Sequence, residues 1–138
     1  MVRTGLGVKG LILKGDDVLV LQKPSKDYDL PGGRVESGEK PVETLQREFL
    51  EEIGCDVQIV GDPMVWENIF KHHGIQGHEI IFAFLVRFDD AQIYAKNRFQ
   101  IFEARGSSHW VEWMEIERFK TGECILFPPA LLGKIDSI

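Results

Sequence analysis

Cysteine is scarce in this chain. Only Cys55 and Cys124 occur among 138 residues. They form no C-x-x-C redox motif or zinc pattern, so a reduced, cytoplasmic setting is expected. Long hydrophobic runs are missing too. No stretch reaches the roughly 20 apolar residues of a membrane span. The opening MVRTGLGVKGLILKGDD lacks a sustained apolar core of signal-peptide length. No membrane partner is expected. Positive charge is also short: 16 Lys and Arg stand against 22 Asp and Glu, a net charge of −6. A duplex nucleic-acid binder needs a basic face, so that class is excluded. Small anionic ligands are not, because a metal ion can supply the missing positive charge. No internal repeat, low-complexity tract or linker interrupts the chain. What is present is ordinary for a soluble globular protein: 43% hydrophobic and 28% charged residues, enough for one domain spanning residues 1–138 with a real core.

The local pattern mixes strands and helices. Residues 8–13 and 18–21 read as β-strands, and "KGDD" between them supplies hairpin turn residues. "QKPSKDYDLPGG" is rich in turn formers and reads as a loop. Residues 41–53 read as a helix. Pro41 fits the first turn, Gly54 fits the stop, and Val42, Leu45, Phe49 and Ile53 recur at helical spacing. Residues 57–69 read as strand interrupted by a Gly61–Asp62–Pro63 turn, and 78–88 as a buried strand. Residues 89–107 look irregular, a length often given to functional loops such as lids. Residues 109–119 read as a strand entering a short helix, and 127–135 as a last helix opened by proline. The class is α/β or α+β.

One stretch of the helix sets a physical problem. "REFLEEIG" (47–54) places Glu48, Glu51 and Glu52 within two turns. Like charges three or four residues apart repel by roughly 0.2–0.5 kcal/mol per pair. With Glu48 at 0°, Glu52 lies at about +40° and Glu51 at about −60°, beside an apolar stripe from about +60° to about +140°. The acids form one polar arc bordering the core. Such an arc is either a solvated acidic face or a site for a hard divalent cation. Mg²⁺ takes oxygen ligands and binds through a few carboxylates plus substrate phosphates.

The surrounding residues favour the second reading. "GGRVESGEKPVETLQREFLEEIGC" matches, position for position, the pattern G-x5-E-x7-R-E-U-x-E-E-x-G-U, with U a bulky apolar residue. The matching residues are Gly33, Glu39, Arg47, Glu48, Phe49, Glu51, Glu52, Gly54 and Cys55. Seven charged and glycine positions agree by chance at a given start on the order of 10⁻⁸. The chain thus resembles the Nudix hydrolases, MutT-like members included. The "LPGG" segment and the "WVEW" strand with its short helix are similar as well.

The resemblance implies an α/β fold, an α/β/α sandwich with a mixed sheet and a loop–helix–loop motif. It also implies hydrolysis of a pyrophosphate bond in a nucleoside di- or triphosphate or a nucleoside diphosphate derivative. The expected cofactor is Mg²⁺, with Mn²⁺ as substitute. By resemblance, Glu48, Glu51, Glu52 and the carbonyl of Gly32 are metal ligands, and Glu48 is the favoured general base. Glu39 and Arg47 act behind them, Arg47 orienting a carboxylate. A further downstream acid is expected at Glu103, with Glu79 as runner-up. Gly33, Arg34 and Lys23 flank the site, and the two cations are placed to meet phosphate. Homodimers are common in the family. The alternative function is a catalytically weak domain that binds or senses nucleotides.

Two positions depart from the pattern: Cys55 replaces a bulkier apolar residue, and Lys40 stands where an N-capping Ser or Thr is usual. His72, His73 and His78 match no zinc spacing and read as loop and strand-edge residues. Trp66, Phe70, Trp110 and Trp113 read as core. In "FPPA", Ala130 occupies the position where MutT-type relatives carry a base-reading asparagine, so recognition of 8-oxo-dGTP by that route is not expected. No other subfamily mark fixes the substrate.

Overall fold

The helix at the centre of the motif forms as its sequence dictates. In the computed structural model α1 spans Pro41–Ile53, with Pro41 at its first position and Gly54 in the left-handed region (φ +78°) as its cap. A left-handed cap costs glycine little. Lys40 contributes no side-chain cap. Instead Glu43 reaches back, its Oε2 accepting from the Lys40 backbone N–H at 3.5 Å. The structure describes residues 2–22, 27–102, 108–126 and 129–135.

The described residues also form nine strands: β1 (Val2–Leu11), β2 (Leu13–Lys14), β3 (Asp17–Gln22), β4 (Tyr28–Asp29), β5 (Gly32–Arg34), β6 (Val57–His72), β7 (Ile75–Phe88), β8 (Arg98–Phe102) and β9 (Ser108–Glu115). A 3-10 turn covers Ala91–Ala95, and two short helices follow, α2 (Ile116–Lys120) and α3 (Ala130–Ile135). One sheet has the order β5-β1-β7-β6. Its central pair β1–β7 is parallel and its other pairs are antiparallel. The second sheet runs β2-β3-β9-β8, with β4 beside β3. The mixed sheet with helices packed against it is the expected α/β architecture.

Two apolar clusters fill the space between layers. Leu45 and Phe49 of α1 pack with Val8, Ile12, Phe84, Val86, Ile101 and Val111. Full burial of each such side chain contributes about 1.5–3 kcal/mol. Leu131 and Ile135 of α3 and Phe119 of α2 pack with Leu11, Val18, Val20 and Met114. The stripe foreseen on α1 is therefore the inner face of the helix.

Several local expectations change. Strand β1 begins earlier than residue 8 and stays in the first sheet, whereas the "KGDD" hairpin joins β2 to β3 in the second. Gly61–Asp62–Pro63 is not a turn: β6 runs through it with a register shift between Val60 and Met64. A bulge and a turn draw on the same residue types. Residues 89–102 are ordered as the 3-10 turn and β8, which pairs with β9. Trp110 is not core. It is 41% exposed, and the Arg98 guanidinium stacks 3.9 Å from its ring centroid. Phe127 and Pro128 lie outside the described residues, and Ala130 opens α3.

Candidate active site

The repulsion among the α1 carboxylates has an answer within the chain. Arg47 pairs with two of them, Glu48 and Glu51, and acts as their shared counter-ion. Its Nε donates to Glu39 Oε2 at 2.8 Å and its Nη2 to Glu39 Oε1 at 3.0 Å. This parallel pair is the strong fork geometry of guanidinium and carboxylate. Its Nη1 donates to Glu48 Oε1 at 3.2 Å and to Glu51 Oε2 at 3.3 Å. Glu36, which the sequence pattern did not single out, comes within 3.8 Å. The fork holds the Glu39 carboxyl down to about 2, well below its usual 4.5. Glu39 in return raises the Arg47 guanidinium further above its already high value.

Glu39 is fixed from the other side as well. Its Oε1 accepts from the Glu36 backbone N–H at 3.1 Å and from the Thr44 hydroxyl at 3.0 Å. Thr44 is fully buried, so this end of α1 is rigid. Sequence reading missed Thr44. The sequence carries only a weak signal for it: Thr44 stands one turn before Glu48 on the carboxylate side of the helix, five residues after Glu39.

Glu48 lies where α1 meets β5. A Cβ placed on Gly33 would fall 2.6 Å from its carboxyl carbon. The carboxylate therefore rests on the β5 backbone, and its side chain is 17% exposed. A Cβ on Gly32 would run into the Val8 carbonyl of β1. The two glycines bring strand and helix this close. Glu51 is exposed and Glu52 half-exposed on the same helix.

All these donors are oxygens, as a hard cation requires. Among the described residues no three His, Cys, Asp or Glu side chains are gathered into a ready cage. Mg²⁺ does not need one, since it is commonly held by one or two carboxylates, waters and substrate phosphates.

Of the flanking candidates, Lys23 and Glu103 lie outside the described residues. Arg34 is placed on the opposite side of β5 from Glu48. Neighbouring strand residues point to opposite faces, and its guanidinium lies over Gly5 of β1. Glu79 of β7 is on that same far face, near Gly7, with Asn68 Nδ2 donating to its Oε1 at 3.3 Å. Arg34, Glu79, Phe70, His73, Gly5 and Gly77 line a cleft of about 310 Å³. Lys9 and the buried Asp29, paired at 2.8 Å, belong to the same face of β1. His78 bonds Glu67 at 2.6 Å, and His73 sits in the β6–β7 turn at φ +52°.

Fold and motif together define a class. A family model described as NUDIX domain matches residues 3–125, and the chain belongs to this family of hydrolases. A Mycobacterium tuberculosis protein provisionally named 8-oxo-dGTP diphosphatase 2 is 28% identical over 117 residues, covering 80% of this chain and 81% of that one. The Proteus vulgaris 8-oxo-dGTP diphosphatase is 41% identical over 49 residues, covering 32% of this chain and 44% of that one. The solution structure of the E. coli ORF135 protein superimposes with a TM-score of 0.64 at 19% identity, covering 99% of this chain and 91% of that one. Among the described residues no helix is long and apolar enough to cross a membrane.

Proposed function

We propose that the protein hydrolyses a phosphoanhydride bond of nucleoside triphosphates or nucleoside diphosphate derivatives with the help of Mg²⁺, Mn²⁺ substituting. The observation that carries this reading is the Arg47 fork, which presents Glu48 and Glu51 together beside the Gly32–Gly33 strand. Glu48, Glu51, Glu52 and the Gly32 carbonyl would hold the cation, which supplies charge neutralisation on the phosphate oxygens and a more acidic water.

The chain's own residues do the rest. Arg47 fixes the Glu48 carboxylate through Nη1 and leaves its second oxygen unengaged by that bond. That oxygen accepts the proton as the water oxygen attacks phosphorus. The P–O bond to the bridging oxygen breaks, and the electron pair leaves with the departing phosphate. Glu39 keeps Arg47 in place and remains ionised throughout, because its proton affinity is so low. Without Arg47 the Glu48 and Glu51 carboxylates would lose their shared counter-ion and repel.

The names of the two diphosphatase relatives place nucleoside triphosphates at the head of a substrate panel. Purified protein with Mg²⁺ is expected to release pyrophosphate or phosphate from at least one of them. Canonical and oxidised nucleoside triphosphates, nucleotide sugars, ADP-ribose and dinucleoside polyphosphates complete the panel. Glu52→Gln is expected to lower turnover by orders of magnitude with its circular dichroism unchanged. Silence across the panel, with nucleotide-induced thermal stabilisation, would replace the hydrolase by a nucleotide-binding module.

A further inference from the structure

Strand β6 ends the first sheet, and among the described residues nothing pairs with its outer edge. From Met64 to His72 it pairs with β7 on its inner side, up to the pair His72–Ile75. The two residues between, His73 and Gly74, both have positive φ, +52° and +76°. That is the two-residue hairpin turn, whose flanking pair exchanges both backbone hydrogen bonds. Alternation then settles the rest of the strand. Residues 72, 70, 68 and 66 turn their N–H and C=O toward β7. Residues 71, 69, 67 and 65 turn theirs outward, to the free edge.

The same four outward residues share one face of the sheet. Val65, Glu67, Ile69 and Lys71 are exposed, whereas Met64, Trp66, Asn68 and Phe70 are half-buried. Ile69, at 58%, is the most exposed large apolar side chain among the described residues. Glu67 meets His78 through Oε2, and its Oε1 is unengaged by that contact. Lys71 makes no ion pair among the described residues.

The order apolar, acidic, apolar, basic is complementary to itself when reversed about Ile69. Ile69 then stands opposite Ile69, and Glu67 opposite Lys71 on both sides of the axis. Directly opposed pairs of this kind are favourable, and like charges there are not. An axis at Glu67 would set Glu67 against Glu67. An axis at Asn68 would set Glu67 against Ile69 and Val65 against Lys71. Register is specified by side chains in this way.

We propose that β6 pairs antiparallel with β6 of a second copy of this chain, about a two-fold axis at Ile69. The Ile69 N–H donates to the Ile69 carbonyl of the second copy, and symmetry supplies the return bond. Glu67 and Lys71 exchange backbone bonds on either side, with their side chains ion-paired. The two four-stranded sheets become one. Such an isologous contact uses the edge of both copies and closes at two. The register shift between Val60 and Met64 ends the pairable run at one end, and the His73–Gly74 turn ends it at the other. Gly33 and Glu48 lie by β5, at the opposite edge and roughly 14 Å across the strands. The dimer is therefore independent of the hydrolase reading.

The test is sedimentation of the full chain, with amide hydrogen exchange as the readout of register. Wild type is expected to sediment at twice the mass of one chain in the micromolar range. The Glu67, Ile69 and Lys71 amides should exchange more slowly as concentration rises. Ile69→Lys sets two lysines face to face on the axis. Glu67→Lys and Lys71→Glu each create two like-charged pairs by symmetry. Each single substitution should raise the dissociation constant by about tenfold or more. The double variant Glu67→Lys/Lys71→Glu restores both pairs in reverse and should dimerise like wild type. Circular dichroism should not change, because all three side chains are exposed; Lys71→Glu alone carries the test should Ile69→Lys misfold. A wild type that stays monomeric through the micromolar range would overturn the proposal and leave the edge to another occupant. Dimers that survive all three single substitutions would overturn it too. So would amides at 67, 69 and 71 that exchange at one rate in monomer and dimer, or a double variant that remains monomeric.

Discussion

Gly33→Ala separates the making of the site from the making of the fold. The new Cβ would stand 2.6 Å from the Glu48 carboxyl carbon and 2.7 Å from Oε1. To restore ordinary van der Waals contact the carboxylate must retreat by about 0.8 Å or more. Glu48 is the flexible, partly exposed member of that contact and can move at little cost to folding. Alanine also narrows the unfolded ensemble relative to glycine, worth about 0.4–1 kcal/mol in the folded state's favour where the backbone tolerates it. The melting temperature should therefore shift by only a few degrees. A misplacement approaching 1 Å in a reacting group costs about a hundredfold in rate. Steady-state hydrolysis of the preferred nucleotide should fall by about that factor in kcat/KM, with KM for the nucleotide changing far less than kcat. Gly32→Ala is the built-in contrast, because its Cβ meets the rigid Val8 carbonyl. That variant should lose about 1–3 kcal/mol of stability from overpacking. A Gly33→Ala protein that melts like wild type and retains most of its activity would refute the placement of Glu48 as a reacting group. One that unfolds would refute the claim that only Glu48 is in the way.

Three further outcomes are expected. Arg47→Lys keeps the charge but not the fork, and should lower kcat by about 10–100-fold with an unchanged far-ultraviolet spectrum; full activity would show that the fork is dispensable. Glu39 binds protons less readily folded than unfolded, so its contribution to stability is fully present above pH 4.5 and is lost as pH falls toward about 2. Urea midpoints across that window should fall less steeply in Glu39→Gln, and equal slopes would contradict the assignment. Phe49→Ala should cost about 3–5 kcal/mol in urea unfolding, because the ring is 2% exposed between α1 and β1; a loss below 1 kcal/mol would mean that this layer is not the core.

The parts of the molecule that were legible in the sequence are those decided locally. Helix α1 was readable to its ends because the proline start, the apolar spacing and the glycine stop all lie within fourteen residues. The carboxylate arc followed from helical geometry alone. Sheet membership was not legible, because the β1–β7 pairing joins Val2 to Gln76 and Leu11 to Leu85, and no local pattern encodes a partner so distant. The face on which Arg34 points depends on that register too. Its sequence neighbour Gly33 is at the acids while Arg34 is across the sheet, a distinction that proximity along the chain hides. Glu79 and Asn68 met for the same reason, through β6–β7 pairing. Strand β8, Arg98–Phe102, does alternate polar and apolar residues, but over only five positions, too short a run to stand out within the irregular stretch 89–107.

The two edges of the first sheet differ in how open they are to pairing with another strand. An edge strand offers unpaired backbone groups to any passing chain. On one side β5 is only three residues long, too short to template a stranger, and α1 packs beside it. On the other side β6 runs sixteen residues and exposes Val65 and Ile69, an invitation if it were flat. The register shift at Val60–Met64, with Gly61 at φ +74° and Pro63 lacking an N–H, breaks that surface into two shorter, differently twisted halves. The residues that resembled a turn in the sequence thus interrupt the one long edge on which a foreign strand could pair.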